Sequence, residues 1–130
     1  MKKIAVFSLL GFLVVSLAVF TVSADTRKIA VASDGKTLSS AVGSVAARSS
    51  SYLIFNDNGR FVETINNPHK EASGGAGPLV VNFLSQKGVN VIIAQSFGKK
   101  MVDAMKARGI AHFEFKGNAD DAVRKYLKQK

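Results

Sequence analysis

The sequence predicts a single α/β domain with a five-stranded mixed sheet, and two observations lead to that fold class. Three short apolar runs separated by turn signals come first, which is typical of consecutive β-strands. Two further apolar runs then alternate with helical patterns, which is typical of parallel strands joined by helices. The length of 130 residues and the hydrophobic content of 47% fit one globular domain.

The first half of the chain predicts three strands and one long loop. The first strand ends at Asp34-Gly35, and the second and third are joined by the turn Asp57-Asn58-Gly59, because Asn and Gly tolerate positive φ. Residues 34–50 are small and polar and are predicted to form a loop. The predicted strands cover residues 28–33, 51–56 and 60–66.

The second half predicts the order helix, strand, helix, strand, helix. Pro78 suits the first turn of a helix that Gly88 closes, and Asn118 can cap the last helix. The later elements are strand 89–94, helix 99–108, strand 110–115 and a helix from Asn118 to Lys128. The order is therefore β-β-β-α-β-α-β-α. Right-handed crossovers make strands one, four and five parallel, which predicts a three-layer fold of the ribonuclease-H-like kind.

Residues 1–24 have the pattern of a secretory signal peptide. Lys2 and Lys3 precede the apolar run Ile4–Phe20, and Val22-Ser23-Ala24 offers small residues at a cleavage site. The alternative is an uncleaved N-terminal membrane anchor, since the apolar run is only slightly shorter than a bilayer span. Either interpretation places the single domain 25–130 outside the cytoplasm, in the bacterial periplasm or secreted. Cleavage would leave no stable membrane span.

Composition excludes several kinds of site. Cysteine is absent, so disulfides, thiolate zinc sites and cysteine-ligated iron–sulfur clusters are excluded. The two histidines, His69 and His112, cannot form an all-histidine zinc site within one chain. The formal net charge of +9 favours an anionic partner.

The predicted topology gathers the candidate ligand residues at one edge of the sheet. The loops 34–50, 67–77, 95–98 and 116–118 follow strands that point the same way, and all three helices begin there. Helix N-termini attract anions, and glycine lets backbone approach a ligand closely. The candidate ligand-binding residues are Arg48, Gly74, Gly75, Ala76, Gly77 and Gly98, with Lys70, Lys99 and Lys100 as further cations.

Each of these residues also has a simpler interpretation. The glycines can serve only to make a tight turn, and Lys99 and Lys100 can be the solvated start of a helix. His69 lies on the ligand edge and is the candidate metal ligand, although a lone loop histidine is more often solvated or packed. His112 is predicted to be structural or exposed.

Six segments together resemble the dinitrogenase iron–molybdenum cofactor biosynthesis family. They are Lys28-Ile29-Ala30-Val31, Ser39–Ile54, Asn67-Pro68-His69, Gly75-Ala76-Gly77, Gly88–Ala94 and Gly109-Ile110. The resemblance implies a ribonuclease-H-like fold and a non-catalytic carrier that holds the iron–molybdenum cofactor or a related metal cluster. An acceptor protein is then an expected partner.

The chain departs from the pattern of that family in the first long loop. The family typically has Ser-x-x-Phe-Gly-Arg-Ala there, often with His before Phe. This sequence has Val45-Ala46-Ala47-Arg48, so Arg48 is retained. Gly74 stands where the family often has His before Gly-Ala-Gly. Of the histidines that the resemblance implies as cluster ligands, His69 remains.

Three functions are weighed against each other. The favoured one is a binding protein that holds a metal species or small anion at the carboxyl edge of the sheet. An enzyme is not expected, because Asp34, Glu63 and Glu114 do not form the carboxylate cluster of a ribonuclease-H-like nuclease. The alternative is a metal-free basic module that binds an envelope polyanion, lipid or nucleic acid, although no specific nucleic-acid recognition is expected.

Overall fold

The computed structural model describes residues 27–129. The predicted signal segment, residues 1–24, lies outside this range. Eight regular elements follow in the predicted order: β1 Lys28–Ser33, β2 Ser51–Asn56, β3 Phe61–Asn66, α1 Ala76–Ser85, β4 Val89–Ala94, α2 Lys99–Ala107, β5 Ala111–Glu114 and α3 Ala119–Lys128.

The differences from the sequence-based expectation are small and local. Helix α1 begins two residues before Pro78, and β5 is shorter than the predicted strand 110–115. The predicted loop 34–50 contains a 3-10 turn over Ala46–Arg48. Asn118 is the residue that precedes α3, but its side chain makes no capping hydrogen bond.

The strands are arranged in the order β3-β2-β1-β4-β5. β1 pairs in parallel with β4 and antiparallel with β2, β4 pairs in parallel with β5, and β2 pairs antiparallel with β3. This confirms the predicted three-layer α/β fold and its mixed sheet. It also defines two edges: the carboxyl edge, where β1, β3, β4 and β5 end, and the amino edge, where they begin.

Two hydrophobic cores cover the two faces of the sheet, and β1 contributes to both because its side chains alternate. Ala30 and Ala32 of β1 face the core beneath α1 and α2, whereas Ile29 and Val31 face the core beneath α3. All of these side chains are buried, and both cores consist of residues within 27–129. The five-stranded sheet and the three helices that cover it lie within the described segment.

A close approach of two helices positions the carboxyl edge. A Cβ atom added to Gly77 would lie 2.7 Å from Cβ of Met101, so α1 and α2 touch near their N-terminal ends. At the amino edge, a Cβ added to Gly59 would lie 3.0 Å from Cδ1 of Leu127, so the β2–β3 turn contacts the end of α3. Within the described segment, none of the helices has the length and apolar character to cross a bilayer.

Leu84 and Leu79 provide a matched test of the core beneath α1. Leu84 is fully buried, while Leu79 on the same helix is 42% exposed. We expect Leu84→Ala to lower the free energy of unfolding by about 2–5 kcal/mol, because it removes buried methyl groups and leaves a cavity. Leu79→Ala should cost less than about 1 kcal/mol. Urea denaturation followed by circular dichroism measures both, and equal losses would contradict this packing.

Candidate functional site

A cavity of about 320 Å³ lies at the carboxyl edge, between the first long loop and the starts of α1 and α2. It brings together five of the predicted ligand-binding residues and two of the predicted cations. Its lining consists of Val45, Ala47, Arg48, Gly75, Ala76, Gly77, Pro78, Gly98, Lys99, Lys100 and Met101. The sequence did not indicate the apolar wall formed by Val45, Ala47, Pro78 and Met101, because these residues come from separate segments.

Two helix N-termini open onto this cavity. The residues preceding α1 and α2 are Gly75 and Gly98, and neither offers a side chain to cap the helix. Neither first turn contains an acidic residue. The first N–H groups of a helix have no acceptor within the helix and carry positive partial charge. Both helix starts therefore provide hydrogen-bond donors for an anion.

The fold needs glycine at some positions of the cavity and not at others. Gly75 has φ +67°, in the left-handed region that favours glycine, and Gly77 makes room for Met101. Gly98 has φ −73° and ψ 155°, which any residue adopts, and a Cβ there would meet nothing within 4 Å. The turn therefore explains Gly75 and packing explains Gly77. At Gly98, glycine leaves open space that the fold itself does not require.

Arg48 connects the 3-10 turn to the loop 67–77. Its Nη1 donates to the carbonyl oxygens of Lys70, at 2.9 Å, and Ala72, at 2.6 Å. Within the described segment its Nη2 and Nε have no hydrogen-bond partner. The guanidinium group therefore holds the loop in place and still has N–H donors and positive charge to offer a ligand.

A buried polar network fixes the backbone that carries Arg48. The Asn67 side-chain amide donates to the carbonyl oxygens of Ala47 and Ser49, at 3.0 and 2.9 Å, and lies 3.2 Å from the Tyr52 hydroxyl. That hydroxyl donates to the carbonyl oxygen of Ala46 at 2.7 Å. Burial raises the pKa of Tyr52, so its hydroxyl keeps the proton that it donates. Asn67 and Tyr52 thus hold the 3-10 turn from beneath.

The remaining candidates lie outside the cavity lining. His69 is half-buried, its backbone N–H donates to Asn67 Oδ1, and its ring lies edge-on to Phe83 at a centroid distance of 6.1 Å. Gly74 is exposed and is not among the lining residues. His69 and Gly74 therefore lie outside the cavity lining, while Arg48 reaches the backbone of Lys70, the residue next to His69.

Within residues 27–129, the other titratable groups do not form a second candidate site. No three His, Cys, Asp or Glu side chains gather there into a group that could hold a metal ion. Asp34 accepts from the Ser50 backbone N–H at 3.0 Å. His112 is exposed, with its ring 5.0 Å from that of Phe97. The titratable side chains that line the cavity are all cationic, which suits an anionic ligand.

Comparison with known protein families shows to which family this chain belongs. The sequence profile described as dinitrogenase iron-molybdenum cofactor matches residues 27–129. The chain belongs to the dinitrogenase iron-molybdenum cofactor family. The match covers every residue of the sheet, the helices and the cavity.

Several solved structures are similar in fold to this chain. A candidate NifB protein from Thermotoga, solved by NMR, is 32% identical, with a TM-score of 0.67 over 78% of this chain and 87% of its own. The apo form of the orange protein from Desulfovibrio gigas is 24% identical, with a TM-score of 0.74 over 78% and 88%. A candidate dinitrogenase protein from Methanocaldococcus jannaschii is 14% identical, with a TM-score of 0.55 over 82% and 92%. The last two show similarity of fold. Comparison with curated protein sequences gives no match.

Asn67 and Asn66 provide a matched test of the polar network in this family member. We expect Asn67→Ala to lower the free energy of unfolding by about 1–3 kcal/mol, because buried carbonyl oxygens lose their donor. Asn66 is exposed and accepts from Lys36 Nζ at 2.8 Å, so Asn66→Ala should change stability by less than about 0.5 kcal/mol. Urea denaturation measures both.

Trypsin provides a local readout of the same network. Loss of the Asn67 amide should free the 3-10 turn and speed cleavage after Arg48, whereas Asn66→Ala should not. Equal cleavage rates in the two variants would show that Asn67 does not hold the turn.

Proposed function

We propose that this family member is a non-catalytic binding protein whose cargo is an anionic metal species, such as the iron–molybdenum cofactor or a related metal cluster. The cargo, or a small anion in its place, is held in the cavity at the carboxyl edge. The family assignment supports a carrier-like role for metal clusters. The observation that carries the proposal is the convergence of two uncapped helix N-termini and Arg48 on one cavity.

The residues that line the cavity can bind the cargo through the atoms at its surface. Backbone N–H groups and the cations Arg48, Lys99 and Lys100 donate hydrogen bonds to oxygen or sulfide atoms at the surface of an anion. Lys99 also pairs with Asp103 at 3.0 Å, with both side chains exposed, so the pair is weak and can open. His69, which lies outside the cavity lining with its ring edge-on to Phe83, keeps its predicted role as the candidate metal ligand.

The same lining supports binding without turnover. Its titratable side chains carry positive charge at neutral pH and stabilise an anion electrostatically. The cavity wall adds apolar groups from Val45, Ala47 and Pro78, which exclude water from one side of a bound ligand. An acceptor protein that receives the cargo is part of the proposal.

Export is also part of the proposal. The sequence of residues 1–24 supports a signal peptide cleaved after Ala24, with the domain 25–130 in the periplasm or secreted. Intact-mass analysis of the chain expressed with its N-terminus in a bacterial host should find a mature chain that begins at Asp25. A membrane-bound chain that retains Lys2 and Lys3 would instead establish the anchor.

Gly98→Asp and Gly98→Asn test the anion site. Both residues adopt the backbone conformation of Gly98 and are good helix caps, so stability should be unchanged or slightly raised. Asp adds a negative charge to the cavity. We expect Gly98→Asp to bind molybdate and tetrathiomolybdate at least about tenfold more weakly than Gly98→Asn, because the added carboxylate repels an anion in the same cavity. Isothermal titration calorimetry measures the affinities.

Elemental analysis of the chain purified without oxygen or chelators complements the titration. Molybdenum or iron should accompany the unaltered chain, fall in Gly98→Asn, whose side chain caps α2, and fall further in Gly98→Asp, which also adds a negative charge. Equal affinities and metal contents in the two variants would contradict the proposed site. Failure of the unaltered chain to hold metal or either anion would contradict the proposed function. Loss of metal in His69→Ala alone would move the site to His69.

A further inference from the structure

We propose that the amino edge of the sheet is a docking surface for an anionic phospholipid membrane, so that the cavity faces away from the lipid. The surface, named here the basic edge, consists of six exposed cationic side chains. They are Arg27, Arg60, Lys87, Lys106, Arg108 and Lys128. The proposal concerns the opposite end of the molecule from the cavity and does not depend on the cavity's ligand.

The topology collects these residues from separate parts of the sequence. Arg27 precedes β1, and Arg60 ends the turn between β2 and β3. Lys28 pairs with both Asn56 and Val89, so the start of β1, the end of β2 and the start of β4 lie side by side. The helices run back against the parallel strands, which brings Lys87, Lys106 and Arg108 at the ends of α1 and α2 to this edge. The contact between Gly59 and Leu127 brings the end of α3 there as well.

The charges of the basic edge are not neutralised by neighbours. The ion pairs within residues 27–129 are Lys99–Asp103, Arg124–Asp120 and Arg124–Asp121, and none involves the basic edge. Arg108 donates to Asn82 Oδ1 at 2.9 Å, and Lys87 Nζ lies 5.4 Å from the centroid of the Phe83 ring. These partners are uncharged, so they do not offset the positive charge of either side chain.

Acidic residues are concentrated away from the basic edge. Asp57 is in the β2–β3 turn, beside Arg60 in the chain. Glu63 and Asp103 lie within β3 and α2. Near the carboxyl edge lie Asp34, Glu71, Glu114, Asp120 and Asp121, where they offset the cations of that edge. Cations are favoured at helix C-termini, which accounts in part for Lys106, Arg108 and Lys128, but not for Arg27 and Arg60. The excess positive charge therefore lies at one end of the domain.

The N-terminal sequence favours a membrane over other anionic partners. The apolar run Ile4–Phe20 is a signal or anchor for a bilayer, and the described segment begins at Arg27, on the basic edge. About seven residues join Phe20 to Arg27, with a reach of about 25 Å when extended. Before cleavage after Ala24, a chain held by that run presents the basic edge to the lipid first. Phe61, 39% exposed beside Arg60, adds an apolar side chain that can insert at the bilayer surface.

A charged bilayer attracts such a surface without base-specific or stacking contacts. Each Lys or Arg near an anionic membrane contributes about 1 kcal/mol, which corresponds to about fivefold in affinity, and the attraction weakens as salt shortens the screening length. The strands of the sheet separate the two edges by about 20 Å. A domain docked through the basic edge therefore leaves the cavity open to solution.

Vesicle sedimentation tests the proposal with residues 25–130, which contain both cores and the segment that the family profile matches. The probes are vesicles of phosphatidylcholine alone and vesicles in which part of it is replaced by phosphatidylglycerol. We expect binding to the anionic vesicles that falls with salt, and little binding to the neutral ones. The triple variant Arg60→Gln, Lys106→Gln, Lys128→Gln should bind the anionic vesicles about a hundredfold more weakly.

The matched control removes the same charge from the other end of the domain. Lys36→Gln, Lys70→Gln, Lys116→Gln should lower the affinity less than about fivefold, and circular dichroism checks that both triple variants fold. Equal losses in the two triple variants would overturn the proposal, as would no binding of the unaltered domain to anionic vesicles. Tighter binding to a DNA duplex or heparin at the same salt would identify a polyanion as the partner and would also overturn it.

Discussion

The burial of β1 between β2 and β4 is the constraint on which the rest of the structure depends. Its residues from Ile29 to Ser33 are all buried, so the strand must be covered on both faces and paired on both sides. Because β1 pairs antiparallel with β2 and parallel with β4, different kinds of connecting segment lie at the two edges of the sheet. Helix starts and long loops collect at the carboxyl edge, while helix ends and tight turns collect at the amino edge. The cavity at the carboxyl edge and the basic edge are consequences of this single arrangement.

The geometry of the cavity depends on residues that do not line it. Asn67 and Tyr52 hold the carbonyl oxygens of the 3-10 turn from within the core, and Arg48 then reaches across to the carbonyl oxygens of Lys70 and Ala72. The bonds of Asn67 and Arg48 join segments that are distant in the chain, whereas that of Tyr52 reaches a residue only six positions away. The cost of leaving a buried carbonyl without a donor makes the arrangement specific, because an alternative loop conformation would lose several bonds together.

The strands were predictable from the sequence because apolar runs and turn residues are local signals, and β2 and β4 have the predicted bounds. The gathering of Arg48, Gly75, Ala76, Gly77 and Gly98 was predictable from topology alone. The 3-10 turn was not, since it depends on Tyr52 and on the pairing of Val45 with Ser96. The ring of His69 lies against Phe83, a contact with α1 that the loop sequence does not indicate. The residues of the basic edge are scattered along the chain, and only the fold brings them together.

Gly98 differs from the other two glycines of the cavity because the fold does not require glycine there. Gly75 needs its left-handed conformation and Gly77 needs to lie against Met101, so both glycines would be retained in a domain that bound nothing. Gly98 has an ordinary conformation and open space around it, and several residues cap a helix as well as glycine does. A capping side chain there would occupy N–H donors at the start of α2 and fill part of the cavity. Glycine at this position leaves those donors accessible, as the proposed anion site requires, and adds nothing to the stability of the fold.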